Sequence, residues 1–135
     1  FLTIATKGST QDFGEISFER SASGGCASAT RGIFVGGQVP APTSGVNVID
    51  YITIATVGNA TDFGDLTTRR RQMDAASSLT RGVCIAGYQD TSPAAIVNSI
   101  DYVTIATTGD ATDFGDLTTV RRFTGTCSDV HGGLG

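Results

Sequence analysis

The chain has 135 residues, a formal net charge of −4 and only 16% charged residues. That balance argues against a nucleic-acid groove or an anionic membrane surface, and no run of about 18 apolar residues suggests a membrane span. Abundant Gly, with many Thr, Ser, Ala, Ile and Val and no Trp, suits short strands and tight turns better than long helices.

The chain opens with a worn copy, Phe1 to Phe18, of a stretch that recurs almost letter for letter at Tyr51 to Thr68 and Tyr102 to Thr119. Thr-Ile-Ala-Thr starts at Thr3, Thr53 and Thr104, and Asp-Phe-Gly at Asp12, Asp62 and Asp113. Both give steps of 50 and then 51. An Arg follows each Asp-Phe-Gly at a fixed distance, as Arg20, Arg70 and Arg121. Shared spacing of independent landmarks marks a repeat protein, and a period of about 50 residues belongs to solenoids, propellers or arrays. The frame taken from Phe1 gives repeat 1 (1–50), repeat 2 (51–101) and a partial repeat 3 (102–135).

Along each repeat the same elements are predicted. Gly32–Gly37 and Gly82–Gly87 are short apolar runs closed by Gly and read as buried strands. Polar, Pro-bearing loops follow, Gln38–Gly45 and Tyr88–Ala95. Val46–Ile54 and Ile96–Ile105 are rich in β-branched and aromatic residues and have strand length. Their apolar residues fall on both parities, so both faces are expected to be covered. Ala55–Thr61 contains Gly58 and Asn59, a turn signal. Phe63–Leu66 is then a brief outer strand. Arg70–Thr80 reads as a connection plus the first strand of the next unit, with a helix as the competing assignment. Four short antiparallel strands every 50 or so residues make a β-propeller blade, and stacked blades cover each other's faces.

No residue set points to catalysis. His131 is the only His, so it is the sole candidate for acid–base or triad chemistry, and no nucleophile motif accompanies it. One His cannot make a transition-metal site alone. Paired carboxylates at Asp62/Asp65, Asp113/Asp116 and Asp12/Glu15 suit turns and outer strands. They lack the spacing of an EF-hand, and their capacity for calcium is left open. The recurrent Arg20, Arg70 and Arg121, with Arg31 and Arg81, read as contacts tying one unit to the next through Asp or carbonyl groups. Cys26, Cys84 and Cys127 form no CxxC pair and read as free thiols. No cofactor is expected.

These residues resemble kelch repeats. The Gly doublet Gly36-Gly37, weakened to Ala86-Gly87, closes a strand. Asp50-Tyr51 and Asp101-Tyr102 mark the next one. Phe13, Phe63 and Phe114 stand where kelch blades carry Trp, and Arg20, Arg70 and Arg121 supply the Arg. The run Thr-Ile-Ala-Thr … Ala-Thr-Asp-Phe-Gly-Asp-Leu-Thr is similar to kelch-like repeats of structural and tail-fibre proteins of marine tailed phages. The resemblance implies an all-β fold of kelch-like propeller blades and a non-enzymatic virion or tail-fibre component working by assembly and surface recognition. Its implied partners are other virion or appendage proteins and a host surface receptor. A cellular kelch-type adaptor is the second reading and a propeller enzyme the third. Partner contact is expected on the variable loops, at Gln38, Pro40, Pro42, Tyr88, Gln89 and Asp90. The chain holds roughly 2.7 units where propellers have about 4–8 blades, so the ring is incomplete. The start without Met and the end inside a strand favour a longer chain. Copies that associate to close the ring are the alternative.

Overall fold

The computed structural model describes residues 1, 8–40, 44–90 and 93–128; Pro42 and His131 lie outside them. Every regular element among these is a strand. The first antiparallel sheet runs β1 (Gly24–Ala27), β2 (Arg31–Val35), β3 (Val46–Thr53) and β4 (Thr61–Arg70), in that spatial order. The second repeats it with β5 (Asp74–Ser77), β6 (Arg81–Ile85), β9 (Ser99–Thr104) and β10 (Thr112–Asp116). A two-stranded ribbon, β7 (Tyr88–Gln89) with β8 (Ala95–Ile96), leaves the second sheet where the first has a loop. No closed ring forms among the described residues.

The sheets stack face to face, with β1 along β5 and β4 along β10. One continuous core joins them. Ile33, Val35 and Ile49 come from the first sheet's middle strands, Phe63 and Leu66 from β4, and Met73, Ala75, Cys84, Val103 and Ile105 from the second unit. Sheets apolar on both faces need a neighbour on each side. Burial of one such side chain is worth about 1.5–3 kcal/mol.

The repeated Asp-Phe-Gly is a bulge. Asp62 pairs with Asp50 and Gly64 with Ile49, which leaves Phe63 as the extra residue. The same shift recurs between Asp113 and Gly115 opposite Asp101 and Ile100. A bulge re-aims a side chain, and here it turns Phe63 into the next unit, where it is 2% exposed. Gly64 adopts a φ of 144°, and a Cβ there would sit 2.5 Å from the Gly109 carbonyl. Only Gly allows that approach.

Each outer strand passes to the next inner strand through one left-handed residue. Ala22, Gln72 and Phe123 have φ of 52°, 57° and 54° at equivalent positions. Gln72 N–H donates to Ala22 O at 2.9 Å, and Phe123 N–H to Gln72 O at 2.8 Å. The hinges stack on one another, so each connection guides the next.

Two predicted elements differ in extent. β4 spans Thr61–Arg70 instead of Phe63–Leu66, because β3 offers it a long partner. The Tyr88–Ala95 loop contributes β7 and the first residue of β8. Arg70–Thr80 holds the strand β5 and no helix.

Candidate functional site

Two sets of polar residues are organised by this stacking: a latch between units and a loop surface at one end. The latch occurs twice. Arg20 Nη2 donates to Asp50 Oδ2 at 2.7 Å, and Ser17 Oγ donates to the same oxygen at 2.6 Å. One unit later, Arg70 Nη2 and Thr67 Oγ1 both donate to Asp101 Oδ2. All four charged side chains are fully buried. Arg70 also reaches Ser99 Oγ at 2.8 Å, Ser99 O at 3.0 Å and Ala86 O at 3.3 Å. Burial lowers the pKa of Arg20, opposed by the charge and hydrogen bond of Asp50.

Backbone bonds complete each latch. Gly58 and Ala60 donate to Phe13 O and Glu15 O, both at 2.8 Å, and Gly109 and Ala111 donate to Phe63 O and Asp65 O, both at 2.7 Å. Asn59 Oδ1 accepts from Glu15 N–H at 3.1 Å, as Asp110 Oδ1 does from Asp65 N–H at 3.0 Å. In both copies the Arg Nε and the Asp Oδ1 find no partner among the described residues. Desolvating polar atoms without full compensation makes such a pair a weak source of net stability. A slip of one unit past the other would strand a buried charge.

Arg121 occupies the third latch position, but its side chain is exposed and only its backbone is engaged, the carbonyl accepting from Gly87 N–H at 2.9 Å and the N–H donating to Val97 O at 3.1 Å. Phe13 is half-buried and Phe114 is 58% exposed. Asp62 and Asp113 sit at the exposed start of their bulges, where Asp113 Oδ1 accepts from Gly115 N–H at 3.1 Å. Among the described residues, no three His, Cys, Asp or Glu side chains converge on a metal position.

The loop surface draws together residues far apart in sequence. Arg71 Nη1 donates to Gln38 Oε1 at 2.7 Å, while its Nε and Nη2 fork onto Asp90 at 2.9 and 3.1 Å. Such a two-point Arg–carboxylate contact fixes orientation as well as distance. Asp90 Oδ2 also accepts from Gly45 N–H at 2.7 Å, so the close of the first loop is tied to the second. Partial burial of Asp90 opposes its charge. Hydrogen bonds from Arg71, Gly45 and Ser44 prevail and hold it below the usual carboxylate range. The Tyr88 ring lies under Arg71 at 4.9 Å and faces Arg122 at 5.8 Å. Gln89 is half-buried in the ribbon and Pro40 is exposed beside Gln38. Glu19, Gln38 and Pro40 help line a shallow recess of about 180 Å³. The arrangement offers hydrogen bonds, a ring face and mixed charge.

A second recess, about 460 Å³ and mostly apolar, runs along the innermost strands and is lined by Cys26, Phe34, Ala76, Thr126 and Cys127 among others. Burial raises the Cys26 thiol to about 11 and the Cys84 thiol to about 12. Both stay protonated at neutral pH, which suits packing rather than reactivity.

Sequence reasoning named Arg20 and Arg70 as ties between units without naming Asp50 and Asp101 as their partners. The signal was available, because both Asp residues share the period of the Arg residues. The basic run Arg69-Arg-Arg71 is too short to point to nucleic acid, and it gives no local signal that Arg71 organises the loop surface. No protein-family model and no curated protein sequence matches this chain.

Proposed function

We propose that this chain is a non-enzymatic structural and recognition module, a sector of a kelch-like β-propeller serving in a phage virion or tail fibre. The carrying observation is a division of labour. Two charged pairs that recur with the period, Arg20–Asp50 and Arg70–Asp101, are spent inside the stack. Loop residues that differ between repeats, Gln38, Tyr88 and Asp90, gather on one surface around Arg71. A scaffold that is constant inside and variable at one rim is how loop-based recognition is built on rigid frames. The similarity of the Thr-Ile-Ala-Thr … Asp-Phe-Gly-Asp-Leu-Thr run to marine tailed-phage repeats supports the virion assignment. On this reading the partners are other appendage proteins and a host surface receptor.

The test exchanges loops 38–45 and 88–95 for Gly/Ser segments of equal length. Binding of labelled protein to a panel of marine bacterial cells should disappear, while far-ultraviolet circular dichroism stays strand-like. Cell binding that survives both replacements, or no binding by the parent protein to any cell in the panel, overturns the recognition role.

A further inference from the structure

Among the described residues, the outer face of β10 is an unfilled third copy of the latch. Residues 112–121 differ from Thr61–Arg70 only at Val120, which replaces Arg69. Tyr102 holds Phe114 edge-on at 6.0 Å, matching the 5.9 Å of Tyr51 and Phe63. Phe114 is therefore already in the docking orientation, yet it is 58% exposed where Phe63 is 2%. Gly115 has a φ of 134° and nothing within 4 Å of a Cβ position, where Gly64 abuts Gly109. The Arg121 guanidinium has no partner among the described residues, where Arg70 holds Asp101. The two filled copies define what fits: a strand with a buried Asp and a Gly-Asx-Ala turn.

The other end of the molecule carries that complement, Asp50 with Gly58-Asn59-Ala60, and it is covered by residues 12–20. This cover is the poorer occupant. It keeps Asp12, Phe13, Gly14 and Arg20 of the latch sequence, but has Ile16 for Leu, Ser17 for Thr, and Phe18 and Glu19 where the other copies have Thr68-Arg69 and Thr119-Val120. Phe13 and Ile16 are only half-buried, whereas Leu66 is 3% exposed. Thr67 N–H adds a bond to Asp101 at 3.2 Å, and Arg70 adds two to Ser99. For Arg20 the one further bond is to Val48 O, at 3.3 Å.

We propose that β10 and residues 117–121 dock onto the first sheet of a second copy, displacing that copy's residues 12–20 and setting Arg121 on its Asp50. The exchange replaces a poorer latch by a better one, the low-cost route of strand swapping. Because donor and acceptor lie at opposite ends, the contact is head-to-tail and each added copy presents a fresh face. The inference stands on the latch geometry and is independent of the recognition role above.

Native mass spectrometry and sedimentation velocity on the 135-residue chain test it across concentration, up to roughly 1 mM, the scale on which a tethered segment competes. Oligomers in successive multiples of the 13.9 kDa chain are expected. Hydrogen exchange at residues 12–20 should rise on assembly while Gly58 and Ala60 stay protected. Arg121→Ala and Phe114→Ala alter exposed side chains, so folding should persist, and each should weaken association by ~30-fold, as central interface residues do. A synthetic peptide of residues 113–121 should dissolve the oligomers, and a scrambled peptide should not. A monomer throughout the range overturns the proposal. So does assembly that leaves residues 12–20 protected, or that ignores Arg121→Ala and the peptide, because copies would then meet through another surface.

Discussion

Thr61–Arg70 and residues 112–121 are nearly the same ten letters in two different situations. In the first, Phe63, Leu66 and Arg70 are buried against a following unit; in the second, Phe114 and Arg121 face solvent. Backbone pairing to the preceding strand is alike, including the bulge at Phe-Gly. The difference teaches that the strand's local shape is written in its own residues, whereas its energetic weight belongs to whatever stacks on it. The two regions therefore serve as an internal control for each other.

The widest separation should come from the arginines. Arg70→Ala leaves Asp101 buried without its partner and is expected to cost about 3–5 kcal/mol. Arg121→Ala, in protein dilute enough to be monomeric, should stay within about 0.5 kcal/mol of the parent. Urea unfolding of the two variants under one set of conditions makes the measurement. Equal losses would mean that Arg70 contributes through β4 itself and that the latch carries no weight. Phe63→Ala against Phe114→Ala repeats the comparison with apolar surface, at about 3–5 kcal/mol for the buried ring and within about 0.5 kcal/mol for the exposed one.

A narrower gap is expected between the bulge glycines. Gly64→Ala and Gly115→Ala suffer the same backbone strain, since φ is 144° and 134°. That shared part is about 1–3 kcal/mol. Only Gly64→Ala also drives a methyl group into the Gly109 carbonyl. Thermal melts should show both variants destabilised and Gly64→Ala more so. If the two melt together, the second unit gives way at Gly109, and the stack is softer than its core suggests.

The sequence made the period, the four strands and the strand-closing glycines readable, because β-branched runs and Gly punctuation are local signals. The phase was not readable. A period has no origin, so a frame begun at Phe1 places its boundary between Asp50 and Tyr51, inside β3, whereas the sheets run 24–70 and 74–116. The latch partners were half-visible. Arg70 lies in the first sheet and Asp101 in the second, and nothing local says which recurrent Asp a recurrent Arg will meet. Arg71 shows the opposite limit. It stands beside Arg70, yet the strand sends one guanidinium into the core and the other onto Gln38 and Asp90. Alternation across a strand is legible in principle, but which parity faces inward depended on the bulge upstream.

The smallest effect concerns the tie between the loops, and pH resolves it. Asp90 titrates below its ordinary value because it is hydrogen-bonded while charged. A depressed carboxylate adds stability that is fully present above the unfolded-state value, about 3.9, and is lost as pH falls through the folded-state value. Arg71 and Asp90 are 20% and 16% exposed, so solvent screens the pair and its worth is about 0.5–1 kcal/mol. Asp90→Asn should therefore cost that amount at pH 7 and equally at pH 5. The gap to the parent should close below pH about 3.9 as the parent's own carboxylate takes up its proton. A gap that persists unchanged at pH 2 would assign the loss to shape and the Gly45 contact rather than to charge. The loop surface would then be held by backbone hydrogen bonding, with Arg71 free to meet a partner.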